Sequence, residues 1–189
     1  MLSFYKLIEI LVSLQSLVIS TMLPVYIPLP FVDESNNSYE IPITWQIPTV
    51  ILLTLIFQKE VVLKAFFIYI FLGLFIVPVF HQGGSIGYLL TPNFGYLLGL
   101  YPLIKIIDNL NKRNKINFGN FLIKGSIAIC ALHLTGIFYN FIQIIFFSNF
   151  NIFLYNLGKY SLGKIGYHFL MLLPLLLLIK PIKHFKKSK

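Results

Sequence analysis

A short pattern at residues 83–87 is the first feature of this chain with catalytic potential. Gly83, Ser85 and Gly87 fit the Gly-x-Ser-x-Gly arrangement in which a serine acts as a nucleophile. Such a serine needs a base within about 3 Å and donors for the developing oxyanion, and His133 or His168 could be the base. Hydrolases with this motif hold the serine at a strand-to-helix turn, whereas this serine falls in a glycine-rich stretch between apolar runs. We therefore expect the chain not to be an enzyme, and keep an intramembrane serine hydrolase using Ser85 as an alternative.

The other unusual residues are concentrated in three connections between apolar runs, at 24–41, 81–93 and 148–165. The first holds Pro24, Pro28, Pro30 and the acidic residues Asp33, Glu34 and Glu40. The second contains Gly83, Gly84, Gly87 and Pro92 and no Asp, Glu, Lys or Arg. Because proline fixes φ and glycine allows close backbone approach, both connections are predicted to be shaped loops.

Polar residues also interrupt the apolar run at 120–147. His133 and Asn140 are the strongest examples, with Thr135 and Gly136 between them. Ionisable groups inside a membrane are costly and usually face the interior of a helix bundle, so His133 is interpreted as making an interhelical hydrogen bond. The lone cysteine, Cys130, lies in the same run and can build neither a disulfide framework nor a metal cluster by itself.

Composition places these residues in a membrane protein. Hydrophobic residues make up 57% of the 189 positions and charged residues only 11%, far from the balance of a soluble globular domain. The formal charge is +9, but the cations lie between apolar runs rather than on one face, as nucleic-acid binding would require. The sequence therefore excludes a soluble domain and gives no indication of a nucleic-acid partner.

Six membrane-spanning segments are predicted from the apolar runs. A bilayer core about 30 Å thick needs about 20 apolar residues per helix. The runs at 2–23, 61–80, 94–107, 120–147 and 166–179 meet this requirement alone or with their flanks, and 42–57 is a shorter, bent second helix containing Gln46 and Pro48. The expected fold is an all-α integral membrane bundle of six helices, forming a single domain over residues 1–189.

The basic residues set the orientation of this bundle, because cytoplasmic flanks carry an excess of Lys and Arg. With the N-terminus in the cytoplasm, 13 of the 15 basic residues fall on the cytoplasmic side and only Lys159 and Lys164 lie outside. Omitting the second helix would move Lys59 and Lys64 outward and weaken this bias. Both termini are therefore predicted to be cytoplasmic.

Three stretches, taken in order, carry a resemblance to a known family. They are Ile-Pro-Leu-Pro-Phe at 27–31 followed by Pro-Ile-Thr-Trp-Gln at 42–46, Val-Pro-Val-Phe-His-Gln-Gly-Gly-Ser-Ile-Gly at 77–87, and Leu-Thr-Pro-Asn-Phe-Gly-Tyr-Leu-Leu-Gly at 90–99. Together they resemble the BioY family, the biotin-specific S component of energy-coupling-factor vitamin transporters. The match covers residues 24–100 well and the remainder by hydropathy.

This resemblance implies a bundle of S-component type that captures biotin in a pocket open to the outside, capped by the loops after helices 1 and 3. Biotin needs an apolar slot for its thiophane ring and valeryl chain, and a few polar groups for its ureido head and carboxylate. The slot is expected from Trp45, Phe80, Tyr88 and Tyr96. The polar contacts are expected from Gln46, His81, Asn93 and the backbone of Gly83, Gly84 and Gly95.

One departure from the family bears on the ligand. The acidic-then-lysine pair at the start of the last helix is absent, and the chain reads Leu-Gly-Lys-Ile-Gly-Tyr-His at 162–168. Either Lys164, Tyr167 and His168 replace that pair in binding biotin, or the chain is an S component for another small ligand.

The resemblance also implies partners in the cell membrane. No Gly-x-x-x-x-Gly-Lys-Ser/Thr loop occurs, so energised uptake would need a separate ATPase pair and a transmembrane coupling subunit. Ser13, Ser16 and Ser20 give helix 1 a small-residue face, which is similar to the docking face of S components, although packing within the bundle also accounts for it. A different intramembrane assembly role is the remaining alternative.

The charge distribution predicts that residues 108–118 and the tail after residue 179 are cytoplasmic. Cysteines introduced at positions 113 and 187, in a chain with Cys130 replaced, should resist a membrane-impermeant maleimide in intact cells and react after permeabilisation. Ready labelling of either position in intact cells would contradict the topology.

Overall fold

The computed structural model describes residues 4–28, 38–81, 83–112, 117–147 and 150–187. Parts of the predicted loops at 24–41 and 108–118 lie outside these ranges. In chain order the elements are α1 Phe4–Met22, β1 Pro24–Pro28, β2 Ser38–Thr44, α2 Gln46–Ile56, α3 Lys59–Phe75, a 3₁₀ turn Ile86–Leu90, α4 Pro92–Leu98, α5 Leu100–Lys112, α6 Phe118–Phe147, α7 Phe150–Asn156, a π-helix Leu157–Leu162, α8 Gly163–Leu170 and α9 Leu172–Lys187. The protein is thus mostly helical.

Two of the described helices, α1 and α6, are long and apolar enough to cross a bilayer by themselves. A third candidate is the broken pair Phe150–Leu170 and Leu172–Ile182, which bends by 41°. Helices suit the interior of a bilayer because every backbone polar group finds its hydrogen-bond partner within the helix.

A β-hairpin corrects the all-α expectation. The strands β1 and β2 pair antiparallel, with Tyr26 opposite Glu40 and an irregular register next to Pro24. Buried Ile41 and Ile43 alternate with exposed Glu40 and Pro42, which is the period of a half-buried strand. The second helix therefore begins at Gln46 rather than at residue 42.

Three other predicted boundaries differ from the structure. The run expected to span 61–80 leaves the helix after Phe75, and the run at 94–107 is divided at Gly99 into α4 and α5. The outer connection expected at 148–165 is helical from Phe150, because α7, the π-helix and α8 follow one another without a break. Hydropathy alone does not separate these cases, since a helix and a shaped loop at a membrane surface carry similar residues.

The helices share one hydrophobic core. Helix α1 packs against α2 and α3, while α4 and α5 pack against α6. Ser13 and Ser20 are buried and donate to carbonyls of their own helix, those of Glu9 and Leu17. These two serines thus face the bundle, which favours packing as the role of the small residues on helix 1. A second, smaller cluster of Val25, Ile41, Ile43 and Met171, with Tyr167 against it, fixes the hairpin to the last helices.

Close contact between α4 and α6 depends on small residues. Gly95 of α4 and Gly99, which directly follows α4, lie one turn apart, and added Cβ atoms there would collide with Tyr139 and with the Leu132 backbone of α6. Gly136 of α6 makes room for the Tyr96 ring in the same way. Small residues four apart are a common means of close approach between membrane helices, and here they position Tyr96 over α6.

Replacing Gly99 with Ala should therefore destabilise the protein by about 1 to 3 kcal/mol, because the new methyl group would lie 2.6 Å from the Leu132 carbonyl oxygen. The midpoint of thermal unfolding in detergent measures this. Gly166→Ala is the matched control, since a Cβ at Gly166 meets nothing within 4 Å. Equal midpoints for the two variants would show that α4 and α6 are not closely packed at Gly99.

Candidate ligand-binding site

A cavity of about 370 Å³ lies between the hairpin, the connection after α3 and the ends of several helices. Its volume falls in the range of about 300 to 1,000 Å³ that is usual for small-molecule sites. The hairpin contributes Ile41 and Ile43, and the helices contribute Ile47, Leu97, Leu100 and Leu132. The wall is thus largely apolar, with polar groups at a few places.

Eight of the thirteen predicted site residues line this cavity, and they come from five separate parts of the chain. They are Gln46 at the start of α2, Phe80 and His81 after α3, Tyr88 in the 3₁₀ turn, Asn93 and Tyr96 in α4, and Lys164 and His168 in α8. The fold thereby brings together residues separated by up to 122 positions in sequence.

Two predicted aromatic residues are not part of the cavity lining. Trp45 precedes α2 with 38% of its surface exposed, and its backbone N–H donates to the Leu23 carbonyl. Tyr167 packs instead against the cluster that holds the hairpin to the last helices.

The predicted glycines shape the protein around the cavity rather than line it. The Gly83 N–H donates to the Phe80 carbonyl. Gly84 lies against the Pro78 backbone, where an added Cβ would clash, and Gly95 packs on the Tyr139 ring. The small size of Gly84 and Gly95 serves packing within the protein, whereas Gly83 adopts a φ of 137° that other residues rarely adopt.

The connection between α3 and α4 is held by hydrogen bonds at several points. The Ser85 N–H donates to the Gly73 carbonyl at 2.8 Å, and the Tyr88 hydroxyl donates to the His81 carbonyl at 3.3 Å. Ser85 has a φ of 89°, a conformation rarely adopted by residues other than glycine. Further along, the Tyr139 hydroxyl donates to the Leu89 carbonyl. The cavity wall formed by this connection is therefore fixed to α3 and α6.

Packed aromatic rings continue the apolar wall. The Phe80 ring lies 5.2 Å from that of Tyr69 and 4.6 Å from that of Tyr88, measured between centroids. Burial raises the pKa of the Tyr88 hydroxyl to about 12, so this hydroxyl stays neutral at physiological pH.

Tyr69 and Thr21 belong to the cavity wall although sequence reasoning did not select them. The Tyr69 hydroxyl lies 3.0 Å from the Thr21 hydroxyl, accepts from Gln46 Nε2 at 3.4 Å and donates to the Val79 carbonyl at 3.3 Å. This hydroxyl therefore joins α1, α2 and the start of the loop after α3. The available signal was a tyrosine in the middle of the apolar run of α3.

Two cations line the cavity beside the same ring. Lys159 and Lys164 have Nζ atoms 5.3 and 5.4 Å from the centroid of the Tyr160 ring. Among the described residues, neither lysine has a carboxylate within 4 Å. Partial burial and the nearby Lys164 charge hold the pKa of His81 below its usual value. This part of the cavity wall can accept an anionic group.

A π-helix lies directly before α8. π-helical turns are rare and occur often at functional sites. Tyr160 in the π-helix and Lys164 and His168 in α8 all line the cavity, and their spacing of four is that of one helix face. Residues 148–165 were predicted to be a connection rather than a helix, so Lys159 and Tyr160 were not selected.

Behind the cavity wall lies a chain of buried hydrogen bonds. His133 Nδ1 is 2.9 Å from the Ser161 hydroxyl, and His133 Nε2 is 2.9 Å from His168 Nδ1. This bears out the expected interhelical role of His133. Both ring nitrogens of His133 thereby have partners in the π-helix and α8, while Ser85 is exposed in its loop.

The comparisons with known proteins point to the same kind of protein. A family model described as the BioY family matches residues 4–171. A protein of Lysinibacillus sphaericus described as a probable biotin transporter BioY is 37% identical over 110 residues, which cover 56% of this chain and 52% of that protein. The matched region thus spans about half the length of that relative.

A solved structure described as the S-component for biotin from an ECF-type ABC transporter has a TM-score of 0.56 to this chain. The match covers 99% of this chain and 95% of that one, at 17% sequence identity. At that identity the likeness concerns the fold.

Removing the Tyr69 hydroxyl should destabilise the protein, because this hydroxyl links three parts of the cavity wall. Tyr69→Phe leaves the Val79 carbonyl and the Gln46 amide without this partner, which should cost about 1 kcal/mol or more. The unfolding midpoint in detergent measures the loss. Tyr101→Phe, at a half-exposed tyrosine in α5, is the control and should be neutral. A Tyr69→Phe midpoint equal to that of the control would contradict the role given to this hydroxyl.

Proposed function

This chain belongs to the BioY family, and we propose that it is the membrane subunit that captures biotin in an outward-facing pocket for uptake. The chain is an integral protein of the cell membrane. The observation that carries the proposal is the partly enclosed cavity, which combines an apolar wall with two lysines that have no carboxylate within 4 Å among the described residues.

The chemistry of biotin corresponds to this division of the cavity. Its thiophane ring and valeryl chain suit the apolar wall of Phe80, Ile43 and Leu97, and its carboxylate suits Lys164 with Lys159. Its ureido head requires hydrogen-bonding groups, which Gln46, Asn93 and His168 can provide. A pocket of this kind fixes orientation by a few polar contacts and gains affinity from apolar burial.

The missing acidic-then-lysine pair is compensated, in this proposal, by Lys164 and His168. Both line the cavity, one helical turn apart, whereas Tyr167 lies under the hairpin and is assigned no ligand contact. A related small carboxylate that shares the shape of biotin is the alternative ligand, because the lysines select the charge while the apolar wall selects the shape.

The proposal includes a six-span topology with both termini in the cytoplasm, over a single substrate-binding domain of residues 1–189. The distribution of basic residues supports it, and so does the fold likeness to an S component. In that orientation the hairpin and the connection between α3 and α4 face the outside and close over the cavity. Energised release would then need a transmembrane coupling subunit and an ATPase pair.

Catalysis is not part of the proposed function. A serine nucleophile needs a base within reach and an approach for the substrate, but Ser85 does not contribute to the cavity lining within the described ranges. The cavity is instead lined by Gln46, Tyr88 and Tyr96, the arrangement expected of a binding subunit.

Neutralising Lys164 tests where the ligand carboxylate binds. Lys164→Gln should weaken biotin binding by about 10- to 100-fold, the value of a hydrogen bond to a charged group. Affinity for biotinamide, which lacks the negative charge, should be nearly unchanged. Titration of purified protein with each ligand measures both values.

Lys105→Gln provides the matched control, because Lys105 is exposed on α5 and does not line the cavity. It should bind both ligands like the parent protein. An equal loss of biotin and biotinamide affinity in Lys164→Gln would show that Lys164 does not bind the carboxylate.

A further inference from the structure

Three buried side chains form a continuous hydrogen-bonded chain that ends at the cavity. Ser161, His133 and His168 are 2%, 2% and 8% exposed, and they come from the π-helix, α6 and α8. The two links are each 2.9 Å long. Of the three, His168 is the residue that lines the cavity. Since its Nδ1 is taken by His133, Nε2 is the ring nitrogen left for a ligand.

The protons in this chain can be arranged in only two ways when both histidines are neutral. A neutral imidazole has one N–H and one acceptor nitrogen. If the Ser161 hydroxyl donates to His133 Nδ1, then His133 Nε2–H donates to His168 Nδ1, and His168 Nε2–H is a donor toward the cavity. If His133 Nδ1–H donates to Ser161, then His168 Nδ1–H donates to His133, and His168 Nε2 is an acceptor.

The surroundings of Ser161 allow the second arrangement as well as the first. When Ser161 accepts from His133, its own hydroxyl proton must find another acceptor. The Tyr96 hydroxyl lies beside both Ser161 and Asn140. It is buried, as is the Asn140 side-chain amide. A tyrosine hydroxyl can accept and donate at once, so Tyr96 can accept from Ser161 and donate to the Asn140 amide oxygen, which gives the second arrangement the acceptor that it requires.

We propose that Ser161 and His133 act as a relay that lets His168 Nε2 serve the ligand as either donor or acceptor. The relay extends the proposed function and depends on it. A neutral ureido head has N–H groups that donate and a carbonyl that accepts. His168 can hydrogen-bond to either group, and no charge is buried in doing so. Ser161 and His133 are positioning residues that act through His168.

The relay and the lysines line the same cavity. Lys164 precedes His168 by one helical turn, and Lys159 lines the cavity with them. A ligand with its carboxylate on the lysines therefore lies in the same pocket as His168. Ser161 does not line the cavity within the described part of the chain, so its hydroxyl serves the relay rather than a substrate.

Nitrogen NMR of the histidines tests the relay directly. The chain has four histidines, and single His→Gln variants assign their ¹⁵N signals in the full-length protein in detergent. Because the two arrangements couple the rings, His133 and His168 should show the same tautomer, both Nδ1–H or both Nε2–H, with biotin bound. Opposite tautomers, or an imidazolium at either position, would overturn the relay.

Affinity measurements separate the relay from a merely structural role. Ser161→Ala should weaken biotin binding by about tenfold, and Ser161→Thr should restore it by returning the hydroxyl. If both rings are Nε2–H, His168 donates to the ureido carbonyl, and the thiourea analogue of biotin, whose sulfur is a poor acceptor, should lose much less affinity than biotin. If both rings are Nδ1–H, His168 accepts from an N–H that both ligands carry, and the two affinities should fall equally. Thr135→Val is the control, because the Thr135 hydroxyl bonds to Ala131 of its own helix.

The outcomes distinguish the relay from the function on which it rests. An unchanged biotin affinity in Ser161→Ala, or affinity losses that disagree with the observed tautomer, would overturn the relay and leave biotin binding intact. A folded parent protein that binds neither ligand would overturn the proposed function, and the relay with it.

Discussion

The absence of water inside a bilayer is the constraint on which this structure depends. A backbone or side-chain polar group in that environment must find its partner within the protein. Helices satisfy this for the backbone of α1 and α6. The connection between α3 and α4, which faces the outside in the proposed topology, is held by bonds to neighbouring helices: the Ser85 N–H donates to the Gly73 carbonyl of α3, and the Tyr139 hydroxyl of α6 donates to the Leu89 carbonyl. The irregular backbone that forms one wall of the cavity is thereby stabilised.

The same constraint explains why the polar residues of the site occur in groups. The Tyr69 hydroxyl serves Thr21, Gln46 and the Val79 carbonyl together, so three elements share one partner. Hydrogen-bonded polar groups of this kind hold the cavity open between apolar walls, and a ligand adds contacts to groups that are already oriented. Such preorganisation reduces the entropy lost on binding.

Much of the site was predictable from sequence because its residues stand out against an apolar background. His81, Asn93 and Lys164 are polar residues close to long apolar runs, and each lines the cavity. The glycines were recognised for the right property, close approach, but Gly84 and Gly95 approach the protein itself rather than a ligand. The hairpin was missed because its strands lie among prolines. Lys159 and Tyr160 were missed because residues 148–165 were predicted to be a connection, whereas the structure is helical from Phe150.

Direct titration of the purified chain with biotin, desthiobiotin and an unrelated vitamin tests the central claim that the cavity is a biotin site. The account predicts saturable one-to-one binding of biotin, together with binding of desthiobiotin, which keeps the ureido group and the carboxylate. It predicts no binding of the unrelated vitamin. A folded, monodisperse protein that does not bind biotin, or that binds the unrelated vitamin equally well, would contradict it.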